Sequence, residues 1–403
     1  LAKACDPFAP CRVAPCHAPA IWAMGHLDCS SGVDRALASQ LLLEGALPGL
    51  PRHAQTTSAP PTTDTSLPAL LSALAPLRHR FADALGTALG ALPASAPRLR
   101  PRTAELRAAG VSRRPGRGRA LVAEAPRLER GAVVLRESPA VVVPLSSDGL
   151  GPGGLSAETA LAVQLWRLQE GESPRERGLL GELVEHGGAD PLMRRERAVV
   201  AVMCAVVLCT GSGKAEEMAS VADALFKWLG RVRVNAVAVT AVTDHDGVMQ
   251  TTKVSLAFYP RLATCVNHDC RPNALLRFDP EQIVELLVSA PEGVPRGEEV
   301  TMSYGPCASA LPRSDRQAAL LRQYGFECTC AACSASGADD FSWRRRAEAL
   351  DEQARAAAAR GHWNEAAAAC AASLEQLRRG YAQGDVELAR EECKLAGLLL
   401  RAG

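Results

Sequence analysis

Three cysteines, Cys328, Cys330 and Cys333, fall within six residues of chain, and that spacing constrains the fold more than any other feature. Thiols crowded into one turn beside Gly325 and Glu327 are poorly explained as ordinary core residues. A C-x-C-x-x-C run offers three thiolates, one short of the four that a closed tetrahedral zinc site takes. The fourth ligand must come from elsewhere in the chain. Cys270 is the best candidate, because it precedes a Pro-anchored turn and shares a polar segment with Asn267 and His268. A structural zinc ion held by Cys270, Cys328, Cys330 and Cys333 is therefore favoured. A redox pair is the weaker reading, since no β-α-β pattern surrounds the motif.

Composition narrows the function classes. The 403 residues leave room for two or three domains. Basic and acidic side chains number 45 and 44, a net charge of +1, which supplies no electrostatic footprint for a phosphate backbone. Nucleic acid is thus not an expected partner. The longest apolar run, Ala198 to Cys209, is 12 residues, short of the roughly 20 that a membrane-spanning helix needs. Neither a membrane nor a membrane span is expected. Aromatics make up only 4% of a chain that is 47% hydrophobic, so the core must be built mainly from Ala, Val and Leu.

Along the chain, residues 1–111 look least like a packed domain. Nine prolines fall between Pro48 and Pro101, interleaved with Ser/Thr/Ala clusters, and much of the stretch is expected to be flexible. Its soft ligands Cys5, Cys11, Cys16, His17, His26 and Cys29 contain no C-x-x-C pair and are not read as a zinc module. The chain opens on Leu1, and no targeting signal is read from it. Short β-branched runs such as Val133-Val134-Leu135 and Val141-Val142-Val143 predict strands. A helical pattern follows over about 155–230, and strands resume at Val232–Val242, Ser255–Tyr259, Ile283–Val288 and Val300–Tyr304. Strand, helical insert, strand predicts an α+β fold. From Phe341 to Gly403 the Ala-, Glu- and Arg-rich pattern predicts three helices, read as a plain helical cap; a single tetratricopeptide-like stretch around Trp363 shows no repetition. Gly211-Ser212-Gly213-Lys214 looks like a phosphate loop but is followed by Ala215 rather than Ser or Thr, so it lacks the magnesium hydroxyl.

The informative block runs from Tyr259-Pro260 through Asn267-His268-Asp269-Cys270-Arg271-Pro272-Asn273 and Gly297-Glu298-Glu299-Val300-Thr301-Met302-Ser303-Tyr304 to Arg316-Gln317, Tyr324-Gly325-Phe326 and the three cysteines. It resembles the SET-domain protein lysine methyltransferases, and among them the SET and MYND (SMYD) group with its plant relatives. In that family an Asn-His-x-Cys-x-Pro-Asn segment threads under a Gly-Glu-Glu-x-Thr-x-x-Tyr segment to form a pseudoknot. The opening signature of the family is matched by Gly116-Arg117-Gly118-Arg119 and by Gly131 to Leu135. The resemblance covers about residues 112–335: a SET domain split by the helical insert, with the post-SET zinc segment at about 324–335 and a helical region at 341–403.

The resemblance implies an S-adenosylmethionine-dependent protein-lysine N-methyltransferase. Tyr304 matches the active-site tyrosine that orients the amine, and Tyr324 would line the lysine channel. Only four tyrosines occur in the chain, and Tyr304 ends the signature strand, which favours a functional phenol over a sheet aromatic. Arg117 and Gly118 lie in a turn where Gly permits close backbone approach to the cofactor. Asn235, Asn267 and His268 match residues contacting the cofactor, and Phe326 would stack on its adenine. The target lysine must lose its proton, and a narrow apolar channel beside a sulfonium favours that loss by desolvation and like-charge repulsion.

Two departures from the family pattern stand out. Pro144-Leu145-Ser146-Ser147 leads to Ala157 with no cysteine between, so no MYND module is recognisable there and its peptide-binding role is not carried over. Asp269 replaces the common Ser of the Asn-His-Ser-Cys signature, a change that leaves every named polar group in place. The implied partner is a protein presenting a lysine, histone or not, with nuclear or cytoplasmic residence following from the resemblance. The competing reading is an inactive SET scaffold that engages a protein partner through its C-terminal helices.

Overall fold

The computed structural model describes residues 32–43, 66–93, 104–114, 118–170, 183–186, 191–210, 214–245, 248–335, 341–381 and 386–403. Its layering follows from one hairpin. Strands Ala236–His245 and Val248–Phe258 pair antiparallel, and Val141–Pro144 adds to the outer side of the second. Side chains on a strand alternate between its two faces. Here Ala236, Ala238, Leu256 and Phe258 enter one buried apolar cluster, whereas Val237, Val239, Ala257 and Tyr259 enter another. Strands that are apolar on both faces require a covering layer on each. A helical layer covers one side and a second β layer the other, the α+β fold that the sequence predicts.

Helices Ala157–Glu170, Pro191–Leu208 and Ala215–Asn235 form the core of the helical layer. The long apolar run lies mostly in the second of these, where Val199 to Met203 are fully buried. A helix apolar all round must be enclosed by others, and residues from the N-terminal part of the chain do this. Helices Val33–Leu43, Leu67–Leu74 and Ala82–Gly90 place Leu41, Leu74 and Leu85 in the same cluster, joined by Phe81 just ahead of the third. Residues 1–111, expected to be largely flexible, thus contribute packed helices among the described residues. The reason is positional: Pro68 and Pro76 stand in the first turns of helical segments, where a missing N–H costs nothing. The candidate ligands Cys5, Cys11, Cys16, His17, His26 and Cys29 lie outside the described residues.

The β layer is a four-stranded antiparallel sheet in the order Ala104–Leu106, Val133–Glu137, Val284–Val288, Ala274–Phe278, beside the hairpin Ala109–Arg114 and Gly118–Ala123. Among the described residues the first strand therefore starts at Ala104, ahead of residue 112. A second correction concerns Val232–Val242, expected as a strand. The third insert helix runs through Asn235 before the strand starts at Ala236. Leu225, Trp228, Leu229 and Val232 recur at helical spacing and all bury into the helical core, so packing of one face overrides the β preference of valine.

One carboxylate anchors each layer. In the β layer, buried Glu137 accepts the backbone N–H groups of Arg261 and Leu262 at 2.8 and 2.9 Å. This caps the short helix Pro260–Cys265 that leads into Asn267. In the helical layer, Asp34 accepts the Ser156 N–H at 2.7 Å, the Ser156 hydroxyl at 2.8 Å and the Thr159 hydroxyl at 2.7 Å. The N-terminal helix is thereby fastened to the start of helix Ala157–Glu170, and Arg35 adds ion pairs to Glu158 and Glu196.

C-terminal helices Ser342–Ala359, Trp363–Leu377 and Val386–Ala402 form the three expected, packed through a separate cluster of Ala354, Ala357, Ala366, Ala367, Cys370 and Leu398. Small side chains let these helices approach closely. Among the described residues, no helix is long and apolar enough to cross a membrane. Asp34→Ala removes the carboxylate that accepts from three donors in a buried site and is expected to lower unfolding stability by about 1–3 kcal/mol, read from the urea midpoint of the full chain. A midpoint unchanged from wild type would show that the N-terminal helix is not part of the folded unit.

Candidate active site

Two remote segments meet side by side at the centre of the site. Asn267–His268 pairs in parallel with Thr301–Met302, in the register Asn267 to Thr301 and His268 to Met302. Two residues per strand cannot hold such a ladder alone, and asparagine side chains complete it. Asn273 donates from Nδ2 to the Glu299 carbonyl and accepts the Thr301 N–H at Oδ1, both at 2.8 Å. Asn267 Nδ2 reaches the Arg119 carbonyl at 2.8 Å and the Glu299 carboxylate at 2.7 Å. The Asp269 N–H continues the pairing to the Met302 carbonyl at 3.0 Å. The Gly297–Tyr304 and Asn267–Asn273 segments thus interlock.

That interlock sets the position of Tyr304. Its N–H donates to His268 Nδ1 at 3.0 Å and its hydroxyl to the Val266 carbonyl at 2.8 Å. Tyr324 donates from its own hydroxyl to the Tyr304 carbonyl at 2.6 Å. Burial pushes both phenols above the usual tyrosine range, and nearby Cys265 and Glu299 add to the effect at Tyr304. Each is therefore a neutral hydroxyl at neutral pH. The rings of Tyr304 and Tyr324 lie 5.0 Å apart, and Phe326 stands edge-on to Tyr304 at 6.3 Å.

These groups wall a cavity of about 900 Å³, a size suited to a small organic molecule. Gly118, Asn235, Asn267 and His268 line it together with Tyr304, Tyr324 and Phe326. Every cavity residue expected from the sequence is gathered here except Arg117, which lies outside the described residues. Gly118 adopts φ +72°, a conformation that favours glycine. Asn235 lies at the end of its helix with Nδ2 bonded to the Val184 and Arg231 carbonyls at 2.8 and 2.7 Å. His268 lines the cavity with both ring nitrogens on protein partners: Tyr304 N–H at Nδ1, and Cys270 Sγ 3.3 Å from Nε2.

Cys270, Cys328, Cys330 and Cys333 converge, with all four sulfurs within 4.8 Å of one another and all four residues buried. Cys270 Sγ lies 3.9 Å from Cys328 Sγ and 3.5 Å from Cys333 Sγ. Those separations bracket the roughly 3.8 Å edge of a tetrahedron with metal–sulfur bonds of about 2.3 Å, and are too long for a disulfide. The donor set fits a tetrahedral thiolate-bound metal.

Several site residues escaped sequence reasoning. Val184, Glu185, Arg113 and Thr264 also line the cavity, and none carries a local motif. Arg316 and Gln317 were noticed without a role; Gln317 brackets the backbone of Cys328, donating to its carbonyl at 2.6 Å and accepting its N–H at 2.8 Å.

The family model described as SET domain matches residues 180–305. Residues 180–305 thus carry a SET domain. The chain is 36% identical over 129 residues to Histone-lysine N-methyltransferase ASHR2 of Arabidopsis thaliana, covering 31% of this chain and 30% of that relative. Protein-lysine N-methyltransferase SMYD4 of Mus musculus is 30% identical over 119 residues, or 28% of this chain and 14% of the relative. A SET and MYND domain-containing protein of Dictyostelium discoideum is 33% identical over 113 residues, or 27% and 32%. The SET-domain chain thus spans a third or less of each of these relatives.

Asn273→Ala removes the clamp between the interlocked segments and is expected to cost about 1–2 kcal/mol. Hydrogen exchange should show the Thr301 amide losing protection while the Val284–Val288 strand keeps it. Equal exchange at Thr301 in both proteins would mean the clamp does not hold the crossing.

Proposed function

We propose that this SET-domain chain is an S-adenosylmethionine-dependent protein-lysine N-methyltransferase with a structural zinc ion on Cys270, Cys328, Cys330 and Cys333. The observation that carries the reading is the single cavity shared by Tyr304, Tyr324, Asn235, Asn267 and Phe326, brought together from four separate stretches of chain. The names of the mouse and Arabidopsis relatives, both lysine N-methyltransferases, agree with it. The residues fit the cofactor: backbone at Gly118 for close approach, carboxamides at Asn235 and Asn267 for an amino-acid end, and the Phe326 ring for a flat base. When bound, S-adenosylmethionine supplies an electrophilic methyl group on a sulfonium.

The chain's own residues then do three things. Tyr304 commits its proton to the Val266 carbonyl, so its oxygen presents lone pairs that accept an N–H of the incoming amine and aim the nitrogen lone pair. Tyr324 spends its proton on the Tyr304 carbonyl, which fixes Tyr304 and leaves an aromatic wall for the lysine stem. The Tyr304, Tyr324 and Phe326 rings exclude water, which favours the neutral amine over the ammonium and holds the reactants in a near-attack arrangement.

The test is transfer from labelled cofactor to a protein or peptide array, with mass spectrometry of the modified site. Tyr304→Phe is expected to lower transfer by about 10²-fold with cofactor affinity little changed, because binding and amine aiming use different groups. Isothermal titration that finds no cofactor binding by folded protein would leave the inactive scaffold. Metal analysis is expected to find about one zinc ion per chain, and chelation to lower the thermal midpoint, since metal binding is linked to folding of such a segment. Active protein free of zinc would overturn the metal part.

A further inference from the structure

Two buried donors face the sulfur cluster from different elements. His268, 6% exposed, accepts the Tyr304 N–H at Nδ1 and sets Nε2 3.3 Å from Cys270 Sγ. A ring nitrogen that accepts an N–H carries no proton, so the neutral imidazole holds its proton on Nε2, aimed at sulfur. Arg316, 1% exposed, sits on the helix Arg313–Tyr324 and is held by the carbonyls of Leu311 at 2.6 Å and Ala332 at 3.3 Å. Its Nη2 also lies 3.7 Å from Cys333 Sγ. A dication bound by four thiolates keeps two net negative charges, and burying them is costly unless donors and a cation stand close.

We infer that Arg316 and His268 are positioning residues of the metal centre: the guanidinium and the imidazole Nε2–H hold the charge on Cys333 and Cys270, and the same imidazole ties that centre through Nδ1 to the backbone of Tyr304. The inference rests on the zinc reading above. It gives His268 a task on the sulfur side of the cavity wall, and it makes metal loading part of what places Tyr304. An ionised, metal-bound sulfur accepts the Nε2–H more strongly than a thiol does, which holds the ring so that Nδ1 receives the Tyr304 N–H.

The test uses the full chain loaded with Co(II), whose thiolate-to-metal charge-transfer band reports on sulfur, with affinity measured by chelator competition. His268→Phe and Arg316→Met are each expected to weaken binding about 10-fold and to move the band to lower energy, because losing a donor raises the sulfur lone pair. Arg316→Lys, which keeps the charge, should move the band less. His268→Gln puts an amide nitrogen where Nε2 stood and is expected to keep the band while the Tyr304 amide exchanges faster. His268→Asn puts an amide oxygen where Nδ1 stood and should do the reverse. A wild-type thiolate band that none of the folded His268 or Arg316 variants shifts overturns the inference and leaves the metal reading standing. A wild-type chain with no thiolate band overturns both.

Discussion

The parallel pairing of Asn267–His268 with Thr301–Met302 is the contact on which the rest of the site depends. Parallel neighbours cannot be joined by a tight turn, so the chain must travel through the four-stranded sheet between them and return. Two residues per strand make a weak ladder, and the structure compensates with side-chain amides that act as extra backbone. Asn273 bonds both Glu299 and Thr301, and Asn267 bonds both Arg119 and Glu299. With the crossing held, Tyr304 arrives beside Val266 and His268, and Cys270 arrives beside the three cysteines of the later turn. Cavity and sulfur cluster are neighbours because they share one short segment.

The helical layer reaches the same cavity from behind. Alternation at the described end of the hairpin sends Ala236, Ala238, Leu256 and Phe258 to the helices and Val237, Val239 and Ala257 to the β layer, so that end is a partition between two cores. The helix Ala215–Asn235 ends where the hairpin begins, which delivers Asn235 to the cavity wall. Helices from before the SET region fill the outer side of that layer, fastened by Asp34 at Ser156 and Thr159. Packing far from the cavity thus bears on where one of its carboxamides sits.

Much of the site was legible because its signals are short and chemical. Three thiols in six residues ask for a metal whatever surrounds them, and an Asn-His-x-Cys-x-Pro-Asn segment is too rare to pass unnoticed. Two described stretches depart from their local pattern for a common reason. Proline density suggested a loose N-terminal region, yet Pro68 and Pro76 occupy helix first turns. Valine at positions 232 and 234 suggested a strand, yet Trp228 and Leu229 were already committed to a helical face. Local preference worth a few tenths of a kcal/mol yields to burial worth about 1.5–3 kcal/mol per large apolar side chain.

What the sequence alone determined was the set of candidate groups, namely the closely spaced cysteines, the phenols and the carboxamides, and an α+β fold divided by a helical insert. Those follow from residue type and short-range spacing, which need no third dimension. Tertiary structure decided how each group is used. It turned both nitrogens of His268 toward protein atoms, committed the Tyr304 and Tyr324 hydroxyls to carbonyls, and brought Arg316 to Cys333. Directional bonds such as these, which reach up to 38 positions along the chain, depend on how close-packed layers meet, and no local pattern along the chain records that meeting.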